Sequence, residues 1–452
     1  MDATKFKVTI TVILLTIGII LGVTLSIPDD ITVKQSNGVV IDFGDRVVTW
    51  TNADTNVYDS GTELLDYACD HNGYAYAIDP DNHVTDINGT VETDTRSWAY
   101  WGIVEGESDW KKIDPTSDPR DYVVTSWAYC SSDEVPAVGV DALGNSIYGY
   151  PRTYSVVSMS PSVTEILGSL GATVPIVGVD MYSDHPSSIK SRVNSGEISI
   201  IGGYTNPSFE LVMKCNADMV IGDGSQYVHS EVCKKLIKNG SSAVLLYDGT
   251  DIESILDNIF IVGRVMGYNL AADSVLMDIE DAMGNIVHRI YSSSESKTQD
   301  ALIALSGDKA PWAAGSDTYA SNCLDLVKAE NILSDNSGWV HISSEVIAKG
   351  NPSKIIVVAG DYRATESDYE ALLRNLSPEW KSTDAYKNGE IYLICESAAS
   401  MASRSSPRIA QVMELFGRFI QSDVFTDLEI PKYVGDNYTD YLTYTKQYSY
   451  DE

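Results

Sequence analysis

A short stretch that occurs twice constrains this chain more than any other feature. Glu210-Leu-Val-Met-Lys-Cys-Asn216 runs into Ala-Asp-Met-Val-Ile221, and 135 residues later Glu345-Val-Ile-Ala-Lys-Gly-Asn351 runs into Pro-Ser-Lys-Ile-Ile-Val-Val358. Both copies begin with Glu, place Lys four residues on and Asn six residues on, and then turn apolar. A short helix with an i,i+4 Glu–Lys pair, a turn at Asn and a buried parallel strand satisfies both. Two such units predict two similar α/β lobes, each presenting one Glu at an equivalent place. Exposed Glu–Lys pairs contribute only a few tenths of a kcal/mol, so two solvated helix faces are the alternative reading. The matched register in both halves argues against it.

At 452 residues the chain exceeds one ordinary core, and two or three domains are expected. A hydrophobic content of 44% with 21% charged residues describes a globular protein rather than a disordered one. The formal charge of -33 excludes a nucleic-acid partner, because no basic surface could neutralise phosphates. The six cysteines lack C-x-x-C spacing, so no zinc site is expected. Cys69 and Cys130 fall in one predicted domain and either form a disulfide or serve as small buried hydrophobes.

In chain order, residues 1–30 read as a membrane anchor or signal segment. Val8 to Ile27 is a charge-free run of 20 residues, with Lys5 and Lys7 before it and Asp29 and Asp30 after it. That length spans a bilayer core, and the charges place the N-terminus inside and the body outside the cell. An uncleaved single-pass anchor is the expectation and a cleaved signal peptide the alternative. Residues 31–150 read as a small α+β domain: strands at Val39–Phe43 and Arg46–Trp50, a helix around Thr62–Asn72, then strands rich in Trp and Tyr. Val135–Pro151, with its glycines and prolines, reads as a linker.

From Arg152 strands and helices alternate, which predicts an open, mostly parallel sheet. Residues 151–268 form the first lobe. Residues 269–293 form a linking helix, in which Val275, Ile279, Met283, Ile286 and Ile290 recur at helical steps. Residues 294–430 form the second lobe, with strands at Ala301–Leu305, Ile355–Val358 and Ile391–Ile394 and a last helix starting at Ser406-Pro-Arg408. Residues 431–452, rich in Tyr and Asp without a period, are expected to be a loosely ordered tail.

Several segments carry a resemblance. Ser158-Met-Ser-Pro-Ser-Val-Thr-Glu165, the following Leu-Gly-Ala-Thr-Val-Pro-Ile-Val-Gly-Val-Asp180, Tyr182-Ser-Asp-His-Pro186 and Arg404-Ser-Ser-Pro-Arg408 resemble the substrate-binding proteins of ABC importers for cobalamin, siderophores and haem, the cobalamin branch above all. The resemblance covers residues 152–425. It implies two Rossmann-like lobes joined by one long helix, an extracytoplasmic body, and a permease with its ATPase as partners. It implies no catalysis, no intrinsic cofactor and no metal site, with cobalamin or a related corrinoid as transported ligand. It also implies that Glu210 and Glu345 dock onto the permease, and that Tyr182, Tyr204, Trp312, Trp339 and Arg404 or Arg408 line the ligand cleft. Gly61-Thr-Glu-Leu-Leu-Asp-Tyr-Ala68 and Trp98-Ala-Tyr-Trp-Gly-Ile103 resemble the helix and a strand of the β-grasp-like domain of transcobalamin and intrinsic factor. Such a domain would cap the ligand or lift the lobes off the membrane.

Two departures stand out. Asp223-Gly-Ser replaces an aromatic wall of the cleft, and Glu396–Ser403 is poor in aromatics. A ferric siderophore or haem is therefore the alternative ligand. Siderophores call for several arginines, and Arg363, Arg374, Arg404 and Arg408 are few. Haem calls for an axial Tyr or His, with His185, His229 and His341 as candidates that otherwise serve as surface or structural residues. No G-x-S-x-G, P-loop, H-E-x-x-H or dinucleotide motif supports an enzyme. A cell-surface interaction or adhesion role is the reading of another class.

Overall fold

The computed structural model describes residues 38–445 apart from 52, 105–108, 123 and 149–152. The apolar run Val8–Ile27 lies outside the described residues, so the expected anchor does too. Among the described residues no helix is long and apolar enough to cross a membrane. Two compact units divide the chain: one takes residues 1–185, 189–247 and 257–277, the other 186–188, 248–256 and 278–452.

In the first unit, Val39–Asp42 and Val48–Thr51 form an antiparallel hairpin, and Val39–Asp42 pairs in parallel with Val124–Cys130. Ser97–Ile103 and Lys111–Lys112 extend the sheet antiparallel, giving five mixed strands. Period-2 alternation sends Val39, Ile41, Trp98, Tyr100, Trp127 and Tyr129 to one face, where they pack on Leu64, Leu65 and Ala68 of the helix Gly61–Asn72. Cys69 and Cys130 are separate buried thiols rather than a disulfide, and burial pushes them up to about 11 and about 12.

The stretch expected to be a linker is instead structured and docked. Gly139–Val140 and Ser146–Ile147 form a small hairpin turned by Asp141. The Asp141 carboxylate accepts from the Leu143 and Asn145 amides at 3.0 and 2.8 Å. The next amide, Ala142, donates to Leu245 O at 2.8 Å, and Tyr247 Oη donates to Val140 O at 2.7 Å. Leu245 lies on the edge strand of the following sheet, so this hairpin covers an edge that would otherwise be open to pairing.

That following sheet is all parallel, in the order Ser199–Ile200, Ile176–Val179, Val156–Ser158, Met219–Asp223, Ala243–Leu246. The second unit orders its sheet Trp339–His341, Trp312–Ala314, Gln299–Ala304, Lys354–Val358, Ile391–Ile394, Tyr433–Val434. In each α/β sheet the strand that follows the repeated Glu segment lies parallel to that sheet's first strand in the chain, Val156–Ser158 or Gln299–Ala304. The repeat read from the sequence is thus a structural repeat. The long helix runs Asn269–Ser292 over 24 residues, with Val275, Ile279, Met283, Ile286 and Ile290 all buried.

The tail corrects its expectation. Tyr433–Val434 pairs in parallel with Ile391–Ile394, and Thr443, Tyr444 and Thr445 donate their amides to the Glu414 carboxylate. All twelve residues of the last helix, Ile409–Ile420, are buried, Glu414 and Arg418 among them.

Candidate functional site

The Ser-Pro-Ser-x-Thr segment builds the seat of Tyr182. Ser160 caps the helix Pro161–Ser169, its hydroxyl accepting from the Val163 amide at 3.2 Å, with proline at the first turn where no amide is needed. Buried hydroxyls then run in line: Ser158 Oγ to Thr164 Oγ1 at 2.7 Å, Thr164 Oγ1 to Ser183 Oγ at 2.8 Å, and Ser183 Oγ donating to Asp180 Oδ1 at 2.5 Å. The other Asp180 oxygen accepts the Tyr182 amide at 2.9 Å. A buried, satisfied network of this kind fixes one geometry, and it leaves the Tyr182 ring 59% exposed.

Tyr204 sits at the tip of the hairpin formed by Gly202–Gly203 and Asn206–Pro207. Gly202 adopts φ +118 and a Cβ there would stand 2.8 Å from Asn206 O, so the tight turn requires glycine. The Met181 amide donates to Gly202 O at 2.9 Å, which ties the Tyr182 turn to this hairpin. Tyr204 Oη meets Ser225 Oγ at 2.5 Å, and Ser225 in turn donates to Asp223 Oδ1 at 2.6 Å. Asp223 and Ser225, which depart from the resemblance, therefore support Tyr204 in place of an aromatic wall. Burial, followed by the charge of Asp223, pushes the Tyr204 phenol up. His229 is fully buried below: Nδ1 accepts from the Asp223 amide at 3.1 Å and Nε2 lies 2.8 Å from Tyr204 O. Both ring nitrogens are committed to the fold, so His229 is a support for Tyr204 and not a metal ligand.

In the second unit the Pro-Trp-Ala-Ala-Gly segment makes one strand of an antiparallel pair. Trp312 faces His341, Ala313 faces Val340 and Ala314 faces Trp339. Ala313 and Val340 join the core, so period-2 alternation puts Trp312, Trp339 and His341 on the other face. Gly315 ends the strand because a Cβ there would lie 2.0 Å from Asn336 O. Trp312 is 53% exposed, and its ring centroid is 5.5 Å from that of His341. Trp339 is half-buried, edge-on to Tyr319 at 6.0 Å. The sequence reading assigned the two tryptophans separately; their shared face, and His341 beside them, appear only once strand register is known.

The two arginines separate. Arg404 is half-buried in the turn between the helices Glu396–Ala402 and Ile409–Ile420. Arg408 does not present itself to a ligand: it is 4% exposed, stands at the N-cap of the last helix, and points Nη1 at Tyr438 Oη. A fifth arginine of this lobe, Arg418, is buried against Glu414 at 2.9 Å. No group of three or more His, Cys, Asp or Glu able to hold a metal exists among the described residues.

Glu210 and Glu345 occupy matching places. Each is the second residue of a short helix, Phe209–Lys214 or Ser344–Gly350, that follows a serine N-cap. Each helix is followed by a left-handed asparagine, Asn216 at φ 47 and Asn351 at φ 44, and then the parallel strand. Both glutamates are exposed. The expected Glu–Lys pairs do not form among the described residues: the Glu210 carboxylate instead accepts from Ser208 Oγ at 3.2 Å.

A sequence profile described as periplasmic binding protein matches residues 156–398, more than half of the chain. The uncharacterized ABC transporter substrate-binding lipoprotein YvrC of Bacillus subtilis is 23% identical over 273 residues, 60% of this chain and 81% of that one. A cobalamin-binding protein of Halobacterium salinarum is 22% identical over 284 residues, 62% of this chain and 72% of that one. The crystal structure of a periplasmic heme binding protein from Pseudomonas aeruginosa superimposes with a TM-score of 0.52 at 21% identity, covering 60% of this chain and 93% of that one. That last similarity is one of fold. By the profile match and the paired α/β units that carry it, this chain belongs to the periplasmic binding protein family.

Proposed function

We propose that the chain is the substrate-binding component of an ABC importer and that its cargo is a flat macrocycle with apolar faces, a corrinoid first of all. The observation that carries this reading is the shared face of Trp312 and Trp339, with Trp312 left largely in solvent. A soluble protein has little reason to hold an indole there unless a plate covers it, and aromatic walls with few charges suit such a plate. Tyr182 and Tyr204 give the first unit a comparable surface, and of the two arginines Arg404, which is half-buried where Arg408 is buried, is the one assigned to a polar periphery in this reading. The relatives named for ABC transport and for cobalamin support the same reading. The ligand is cargo; the chain supplies no chemistry of its own.

Glu210 and Glu345 are the contacts to the permease, since each stands exposed at an equivalent helix start in its unit. The N-terminal sheet, with its parallel central pair and single covering helix, supports a β-grasp-like domain. The apolar run at Val8–Ile27 supports an anchor that holds the body outside the membrane. A siderophore fits less well, because Arg408 and Arg418 are turned inward and engaged.

The test is calorimetry on the full chain with cyanocobalamin, cobinamide, hemin and a ferric hydroxamate. One-to-one corrinoid binding is expected. Binding of the hydroxamate alone would replace the macrocycle by a siderophore. No heat with any of them would overturn the solute reading in favour of a cell-surface interaction role.

A further inference from the structure

We propose that Asn88 and Asn239 are sites of N-linked glycosylation, whereas Asn375 and Asn437, which carry the same motif, are not. The proposal rests on the reading that places the body outside the membrane, where a lipid-linked sugar can be transferred to it. Four Asn-x-Ser/Thr triplets without proline in the middle occur in the chain: Asn88-Gly-Thr90, Asn239-Gly-Ser241, Asn375-Leu-Ser377 and Asn437-Tyr-Thr439. Such a triplet is the acceptor motif for N-linked sugar. It is also short enough to recur by chance, so the motif alone selects nothing. All four asparagines are exposed, and that does not select among them either.

The rest of each triplet separates them. Asn88 and Gly89, at φ 51 and φ 83, are the two turn residues between the paired Ile87 and Thr90, as a tight hairpin turn requires. Asn239 follows the helix Tyr227–Lys238 as its C-cap, and Gly240 turns left-handed at φ 80. A Cβ added at Gly89 or at Gly240 would meet nothing within 4 Å, so the middle of each triplet stands in open space. The amides of Asn88 and Asn239 and the hydroxyls of Thr90 and Ser241 make no side-chain hydrogen bond among the described residues. The other two triplets are built into the fold. Leu376 and Ser377 are 3% and 5% exposed, Tyr438 is 7% exposed, and Asn437 Nδ2 already donates to Tyr441 Oη at 3.2 Å. A transferase that must hold the asparagine, the middle residue and the hydroxyl together can reach the first two triplets on the folded chain and not the last two.

The step is a group transfer. The asparagine side-chain nitrogen attacks C1 of a sugar carried on a polyprenyl phosphate or diphosphate. The nitrogen–C1 bond forms, the C1–oxygen bond breaks, the lipid phosphate leaves with the electron pair, and the amide nitrogen gives up one proton. Nothing is oxidised or reduced. Asn239 lies at one end of a 12-residue helix, about 18 Å from the other end, where Ser225 supports Tyr204, so a sugar there leaves the Tyr204 seat clear. At Asn88 the sugar stands beside Thr90–Val91, an edge strand on which Val91 is exposed, and covers an edge otherwise open to pairing.

The experiment is intact and peptide mass spectrometry on the full chain purified from the cells that make it naturally, alongside protease treatment of unlysed spheroplasts. The expected result is a sugar-sized mass addition on the peptides holding Asn88 and Asn239, and the plain sequence mass on those holding Asn375 and Asn437. Thr90→Ala and Ser241→Ala should each remove one addition with the asparagine still in place, and Thr90→Ser should keep it, which separates a lost acceptor from a lost fold. Plain masses at both sites, or a deamidation-sized gain alone, in a chain that the protease reaches would overturn the modification and leave the extracytoplasmic reading standing. Equal addition at all four asparagines would overturn the selection by structure. A chain that the protease cannot reach would overturn both readings.

Discussion

Glu414 holds Thr445 from a fully buried position: its Oε2 accepts the Thr445 backbone amide at 3.0 Å and the Thr445 hydroxyl at 2.8 Å. The same carboxylate takes the amides of Thr443 and Tyr444 and pairs with the Arg418 guanidinium. The tail is therefore a latch on the last helix. Glu414→Ala leaves Arg418 buried without its nearest counter-charge and should cost about 3–5 kcal/mol. Urea unfolding of the full chain, with limited proteolysis of residues 431–445, reads both effects. A loss below about 1 kcal/mol would mean that the tail is not held by this carboxylate.

His229 makes the Tyr204 hairpin sensitive to acid. Because the Asp223 amide donates to Nδ1, that nitrogen must carry the lone pair, and the proton sits on Nε2 facing Tyr204 O. Burial, the largest cause, holds the imidazole below its ordinary value of 6.5 despite the opposing charge of Asp223. The unfolded chain therefore takes up this proton first as the pH falls. The contribution to stability is complete above 6.5 and declines on acidification below it. Thermal unfolding should shift downward between about pH 7 and about pH 5. The slope should flatten in His229→Gln, and an equal slope in that variant would place the sensitivity elsewhere.

Trp312 and Trp339 should behave differently when truncated. Trp312→Ala removes a largely exposed ring and should leave stability within about 0.5 kcal/mol while reducing macrocycle affinity at least tenfold, about 1.4 kcal/mol. Trp339→Ala should lower both, because its ring also packs on Tyr319. Denaturation and calorimetry on the two variants separate these outcomes. Unchanged affinity in both would remove this face from the site.

Glu210 and Glu345 should matter to transport and not to solute binding. Glu210→Lys and Glu345→Lys each reverse an exposed charge, which acts on encounter and register more than on contact energy. Solute affinity should stay within twofold, whereas permease-dependent uptake or ATPase stimulation should fall by roughly tenfold for each. A variant that weakens solute binding and spares uptake would contradict the docking role.

What was legible in the sequence was local or periodic. The two Glu-to-Asn segments could be matched because each encodes a helix start, a left-handed Asn and a buried strand within a dozen residues. Ser160-Pro161 announced its helix for the same reason. The tail was illegible because Thr443–Thr445 carry no pattern of their own; what orders them is a carboxylate about 30 residues upstream. The linker misled because its glycines signal turns, while Asp141 uses those turns to reach Leu245. Arg408 looked like a ligand group because its spacing matched a motif; the sequence also placed it at the start of the last helix, and packing adds that it is buried there. His341 was one of three histidines singled out in the sequence, and only register set it apart by placing it opposite Trp312.

The N-terminal domain should not be separable from the first α/β sheet. The Trp50 ring packs against Phe260 in a tilted pair with centroids 4.5 Å apart, and Phe260 in turn lies under the Arg264 guanidinium at 4.3 Å, which pairs with buried Asp273 at 2.8 Å. Asp42 accepts the Ala137 amide at 2.7 Å, so the sheet also fixes the start of the docked hairpin. Phe260 is nearly fully buried, and Phe260→Ala should cost about 3–5 kcal/mol through the cavity it leaves. Deleting residues 31–150 should uncover both Phe260 and the Leu245 edge, giving a fragment that unfolds earlier or aggregates. A spacer that merely lifts the body off a membrane would behave otherwise: the body from residue 151 onward would unfold at the same temperature as in the full chain. Differential scanning calorimetry on the two forms decides between a fused support and a spacer, and a shared, single transition for the N-terminal sheet and the first α/β sheet is the expected result.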